Sequence, residues 1–449
     1  MSAYSSKLRR VQVRPREPWP YFVTFWLLAA VLFGIIGFGG VYARIWGTAS
    51  LAIFSLFIVV IWRQTWSGRP WTFHGILLPV LAFGLLVMAQ YEWRLSVYPG
   101  LTLSGMLPLA ACGALLYCAL YAAGWKNNLF LIARVLWIFT GLLSLEAIYQ
   151  FFSAHGYIYW FHNATYATPI GPYVYHNFYA GCMDLLLPIA IVYSFQDRAS
   201  PDPIWLTRIR RGLIPALALA SLALSYSRGG ILTLLVEVIL AGVVLAPHIR
   251  KRSETRHLIL LSLLFFSSFL FLGNFRLVIE RFAHLSRPTS DIRGRFILAE
   301  TCWKMFLHRP WLGFGFNTFS VVYPAFETVD NGLFYLYAHN DYAQTLTETG
   351  LAGAFCVLCF LGIWASAFWR AAQAVSSGAE IQALRLAMFI GCTGFLFHAY
   401  GDFMFHAPAN AMLFYLLCGF ALGSLRQTVH DSGVQRDIRK SRILSRQHF

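Results

Sequence analysis

Hydrophobic positions along the chain come in long unbroken runs, not in the alternation of strands or the narrow stripe of soluble helices. A helix needs about 20 apolar residues to cross a bilayer. Runs near 21–43, 45–62, 74–90, 101–124, 129–153 and 177–196 approach or exceed that length. A second set follows near 212–227, 229–247, 257–273, 350–370, 384–400 and 408–425. The pattern predicts an all-α polytopic membrane protein with about 12 transmembrane helices.

Two polar stretches on the same side are too long to be connectors. The first, 154–176, is rich in Tyr, His and Asn. The second, 274–349, separates spans 9 and 10 and has its own amphipathic pattern. Its segment Gly294–Leu307 has helical spacing and ends at Arg309-Pro310, so a large, mainly helical loop is expected. The chain thus divides into a basic N-terminus (1–20), helices 1–9 (21–273), the loop (274–349), helices 10–12 (350–425) and a basic, disordered tail (426–449).

Composition narrows the class further. Of 449 residues 58% are hydrophobic and only 12% charged, about half the usual charged share, which excludes a soluble fold. The net charge of +16 raises nucleic acid as a partner, but the basic residues sit in short segments between apolar runs. Placing Lys7, Arg9, Arg10, Arg14 and Arg16 in the cytoplasm puts 24 of the 35 Lys and Arg there against 10 outside, with Arg134 inside a span. That asymmetry is the positive-inside rule, so both termini are expected in the cytoplasm and no nucleic-acid role is assigned. The first run is a full span with no evident cleavage site, so no cleavable signal peptide is expected. Seven of eight Cys lie in apolar runs; Cys356 and Cys359, at helical i,i+3 spacing, read as small-residue packing.

The chemistry-bearing residues gather on the outer side. Arg228, in Ser-Tyr-Ser-Arg-Gly-Gly, occupies a hairpin so short that the guanidinium must lie at the membrane boundary, a costly place that calls for an anion. A topology-marking Arg belongs on the opposite side. Arg276, Arg281, Arg287, Arg293 and Arg295 recur near that boundary, and Arg forks fit phosphate oxygens. Singly they could instead pair with Glu280, Asp291 and Glu300 along a solvated helix. His339 precedes a short helix in which Asp341 and Gln344 have capping-box spacing. It is the most suitable base in this half of the chain. Asp402, followed by His406 and Asn410, needs a partner in its apolar hairpin: a structural ion pair, His339, or an Arg of the site. Gly313 and Gly315 in LGFGFN lack the following Lys-Ser/Thr of a phosphate loop and read as a turn. No metal-binding pattern is present in the sequence.

His339-Asn340, nine residues, Gly350, two residues and Gly353 complete a signature. In it the chain resembles the O-antigen ligase family, the ligase/polymerase superfamily of bacterial membrane glycosyltransferases. The resemblance extends to the SRGG hairpin, the PWLGFGFNTF stretch and the large loop, from about residue 170 onward. It implies a bacterial inner-membrane, multi-pass enzyme with a periplasmic active site. The donor would be a glycan on undecaprenyl diphosphate, transferred with inversion and without metal or other cofactor. By position it assigns catalysis to His339, Arg228, Arg295 and Asp402, with Arg293 competing for the role of Arg295. Substrate contacts would include Arg293, Arg276, Arg281, Asn340 and His406. The acceptor stays open between lipid A core, a growing polysaccharide and a protein, corresponding to ligase, polymerase and protein O-oligosaccharyltransferase. From another class, a lipid or polysaccharide transporter also fits spans and arginines. Asp184, Glu146 and Glu237, the acids within spans, form no evident proton path for it.

Overall fold

The computed structural model describes residues 18–68, 70–164, 168–196, 204–249, 290–327, 334–374 and 379–423. Its helices are α1 (Trp19–Ile36), α2 (Ala43–Trp66), α3 (Leu77–Glu92), α4 (Pro99–Ala122), α5 (Lys126–Ser153) and α6 (His176–Ser194). They continue with α7 (Ile204–Leu224), α8 (Arg228–Ile249), α9 (Ser290–His308), α10 (Asp341–Gln373), α11 (Ala379–Gly401) and α12 (Pro408–Leu422). A two-residue antiparallel pairing, Tyr157 with Asn163 and Ile158 with His162, folds the segment before α6. Each predicted span overlaps one of these helices except the ninth, 257–273, which lies outside the described residues.

Among the described residues seven helices, α1, α2, α4, α5, α6, α10 and α11, are long and apolar enough to cross a membrane. The stretch Gly212–Leu224 of α7, α3 and α12 are apolar but shorter. The all-α polytopic plan therefore stands, and among the described residues seven of the 12 expected spans reach that length and hydropathy. α4 and α12 open on Pro99 and Pro408, where a missing N–H costs nothing.

Burial sorts the helices into an interior and a rim. The most apolar windows of α6 and α11 are 78% and 72% buried, those of α10 and α2 only 17% and 28%. With Phe355, Leu358 and Trp369 exposed on α10, that helix faces lipid while α6 and α11 form the interior. α11 packs on α6 and α8, and α12 on α4. Rings of Trp364, Phe389, Phe395 and Phe414 fill the space between α10, α11 and α12.

The connecting segments are fixed to this bundle by polar ties. The Tyr173 hydroxyl donates to Asn410 Oδ1 (2.7 Å), and Asn410 Nδ2 donates to the Phe178 carbonyl (2.8 Å), which seats the start of α6 on α12. α9 has a core of its own, in which Leu298, Cys302 and Met305 meet Phe314, Phe319 and Ala338. It matches the amphipathic helix expected from Gly294 to Leu307.

Candidate active site

The PWLGFGFN stretch is the turn expected, and it is built into the backbone of α10. At Gly350 the helix breaks, with φ +62° and ψ −159°. The N–H groups of Leu351 and Ala352 then donate to the carbonyls of Pro310 (2.8 Å) and Trp311 (3.1 Å). The carbonyls of Thr347 and Glu348, which those N–H groups would reach in a continuous helix, accept instead from Phe314 (3.1 Å) and Gly315 (2.9 Å). Both of these interrupted bonds are thus replaced across the turn. A Cβ on Gly350 would lie 2.5 Å from the Trp311 carbonyl carbon, so the glycine of the signature answers both a conformation and a contact.

Glu348 completes the lock. Its buried carboxylate accepts the N–H groups of Asn317 (2.8 Å) and Phe319 (3.1 Å) and the side-chain amide of Gln344 (3.0 Å).

His339 lies just before the start of α10, nine residues ahead of Glu348. The N-cap of α10 is Asn340, one residue before the Asp341 expected: its Oδ1 accepts from the Ala343 N–H (2.9 Å). Gln344 Oε1 reaches back to the Ala338 N–H (3.0 Å), so the capping spacing was read one position late. Between these ties His339 is held at φ +51°, a left-handed conformation costly for a residue with a Cβ.

His339 Nδ1 lies 3.2 Å from Asp402 Oδ1, which also accepts the Phe403 N–H (2.9 Å). Oδ2 accepts from Asn177 Nδ2 and faces Arg295 Nη2 at 3.5 Å, while Arg295 Nη1 donates to the Gly401 carbonyl. Burial alone would raise the Asp402 carboxyl, but the His339 hydrogen bond and the Arg295 charge outweigh it and hold the group below the usual carboxylate range.

A second pair runs in the opposite sense between the same two elements. His406 Nδ1 is 2.9 Å from Asp341 Oδ1, and Asp341 Oδ2 accepts the Phe405 N–H (3.0 Å). His406 Nε2 then accepts from the Gln344 amide (3.0 Å). Burial pulls the His406 imidazole down, yet the hydrogen bond and charge of Asp341, with the charge of Glu348, raise it above its usual value.

Arg228 opens α8 and is half-buried. Ser227 Oγ caps that helix by accepting the Gly230 N–H (3.1 Å). The adjoining Gly229 packs against His398, one helical turn before Asp402, so the hairpin meets the same end of α11 that carries the His339 pair. A largely apolar cavity of about 780 Å³ opens beside His339, Asp341 and His406. Its lining runs from Cys112, Phe360 and Phe414 among α4, α10 and α12 to Tyr337, His339 and His406.

Residues 213–358 match the family described as O-Antigen ligase. The matched stretch contains Arg228, Arg295, His339, Gly350 and Gly353, and it supports the family that the motif resembles. Asp402 and His406 lie beyond it and are joined to it by the contacts above. No curated protein matches the chain.

Of the residues expected in the site, His339, Arg295 and Asp402 are together, and His406 is beside them. The Asn340 oxygen is engaged as a cap. Arg293 falls within α9, and Arg276 and Arg281 lie outside the described residues. Asn177 and Asp341 were missed as partners; the Tyr175-His176-Asn177 run at the start of α6 was the signal for the first. Among the described residues, no three His, Cys, Asp or Glu side chains are grouped to hold a metal ion.

Proposed function

We propose that the protein is a membrane glycosyltransferase of the ligase/polymerase type that moves a glycan from undecaprenyl diphosphate to an acceptor hydroxyl on the periplasmic face of the bacterial inner membrane. The observation that carries this reading is the His339–Asp402 pair at the polar end of an apolar cavity sunk between spanning helices. The cavity suits the first isoprene units of the donor, and its lip suits the diphosphate and sugar.

The chemistry follows from the geometry. Asp402 accepting from Nδ1 keeps the proton there and leaves the lone pair on Nε2 of His339. Nε2 takes the acceptor's proton as the acceptor oxygen bonds to the anomeric carbon. The bond from that carbon to the diphosphate oxygen breaks from the opposite face, inverting the centre and releasing undecaprenyl diphosphate. Arg228, at a helix N-terminus that itself favours anions, and Arg295 stabilise the charge on the leaving diphosphate. A diphosphate so held leaves readily, and no metal ion is assigned a role.

One observation favours a transporter instead: Asp184, left without a partner by the sequence, pairs with His398 inside the bundle (Oδ2 to Nδ1, 2.6 Å). Purified protein given a lipid-diphosphate oligosaccharide and candidate acceptors separates the readings. A ligase attaches one glycan to lipid A core, a polymerase produces a ladder, and a protein oligosaccharyltransferase modifies a polypeptide. Absence of every transfer product, with flux of the lipid-linked glycan across sealed vesicles, would replace the enzyme with a transporter.

A further inference from the structure

We propose that His398, held by Asp184, is a positioning residue that sets Arg228 for the lipid diphosphate; this rests on the reading of Arg228 as a diphosphate-holding group. The pair is almost fully enclosed, with side-chain exposures of 1% and 0% for His398 and Asp184. Aliphatic side chains would pack α6 against α11 without the cost of desolvating a carboxylate and an imidazole. What the pair adds is a fixed edge. With Nδ1 on Asp184 Oδ2, the ring cannot rotate, and its Nε2 makes no hydrogen bond among the described residues.

That edge lies against the hairpin. A Cβ on Gly229 would stand 2.4 Å from Nε2 and 2.7 Å from Cδ2 of His398. On the other side, a Cβ on Gly230 would stand 2.8 Å from Ala180 Cβ of α6. Both glycines of SRGG are therefore seated, one on the imidazole and one on the helix that carries Asp184. Arg228 precedes the first of them directly, and Ser227 fixes the helix start from the other end. His398 and Asp402 are four residues apart at the end of α11, so one helix end locates both the hairpin cation and the carboxylate that binds His339 and Arg295. His398 acts through Arg228 and touches no reacting atom.

The test is a double-mutant cycle on binding, since Kd is readable even where turnover is lost. Undecaprenyl diphosphate is titrated into the detergent-purified full chain, its His398→Ala and Gly229→Ala variants, Arg228→Lys, and each of the first two combined with Arg228→Lys. We expect His398→Ala and Gly229→Ala each to weaken binding at least about ten-fold in the parent and less than about three-fold beside Arg228→Lys. Equal losses in both backgrounds, or no loss in the parent, would overturn the positioning role and leave Arg228 as proposed. Arg228→Lys binding as tightly as the parent would overturn the diphosphate reading of Arg228 and this inference with it. If His398→Ala does not accumulate, Gly229→Ala decides; failure of both to accumulate marks a packing role and rejects the proposal.

Discussion

His339 and Asp402 are 63 residues apart in sequence and 3.2 Å apart from Nδ1 to Oδ1. Asp341 and His406 repeat the contact with imidazole and carboxylate exchanged, so the start of α10 and the turn after α11 are tied twice. The two ties differ in what else they hold. Asp402 also faces Arg295, whereas Asp341 and His406 lead inward to Gln344 and Glu348 and the locked turn.

Replacing Asp402 by Asn should lower turnover by about 10²-fold, at the low end for lost acid–base function, because an amide can donate to Nδ1 and force the proton onto Nε2. Stability supplies a second reading. The folded carboxyl is held below its ordinary value of 3.8, so its contribution is present above that pH and is lost as pH falls through the lowered value. The Asn variant should lack that acid-side loss in thermal melts. Parental turnover in Asp402→Asn would remove the carboxylate from the mechanism.

The His406 pair has the opposite sign. Its imidazole is raised above 6.5, so its contribution to stability is complete below that pH and declines as pH rises through the folded value. Melts of the detergent-purified protein between about pH 6 and 9 should show this decline, and His406→Gln should flatten it. An unchanged slope in the variant would mean that other groups set the pH dependence.

The spans were legible because an apolar run of bilayer length has few other uses, and Gly294–Leu307 because its periodicity is helical. His339, Arg228 and Asp402 stood out as polar groups at boundaries where such groups need partners. The partners themselves were not legible. Asp184 and His398 are 214 residues apart, and only the packing of α6 on α11 brings them together. Likewise nothing local announces that Phe314 and Gly315 take over carbonyls of α10, since backbone bonds leave no side-chain signature. The one-residue error at the helix start arose because Asn340 and Asp341 are both good caps, and only the tertiary ties choose between them.

Gly350→Ala should destabilise the protein by at least about 2 kcal/mol, combining a left-handed φ with a Cβ pressed on the Trp311 carbonyl. Because the break also seats the turn below His339, turnover should fall more steeply with temperature than in the parent. A melting temperature within a degree or so of the parent would show that the backbone relaxes there at little cost.

Topology can be read by chemistry alone. From the basic-residue asymmetry, segment 248–257 is expected in the cytoplasm and loop 274–349 in the periplasm. An impermeant thiol reagent on intact spheroplasts should label Asp330→Cys and spare Ser253→Cys. The reverse pattern would invert the protein and put His339 on the wrong face for the proposed donor.

The sharpest expectation concerns His339 as the base. A proton acceptor must be within reach of the acceptor hydroxyl and neutral when it acts; His339 lines the cavity at its polar end and is turned by Asp402 so that Nε2 carries the lone pair. His339→Ala should lower turnover by roughly 10² to 10⁴-fold, the range for loss of a general base. Binding of undecaprenyl diphosphate, assigned to Arg228 and Arg295, should change by less than about ten-fold, so the loss falls on kcat rather than on affinity. His339→Gln, which keeps a hydrogen-bonding side chain but no base, should lose activity to a similar extent. If His339→Gln instead retains most activity, the imidazole serves to hold phosphate or shape the lip. Departure of the diphosphate, drawn by the two arginines, would then be the step that limits the rate.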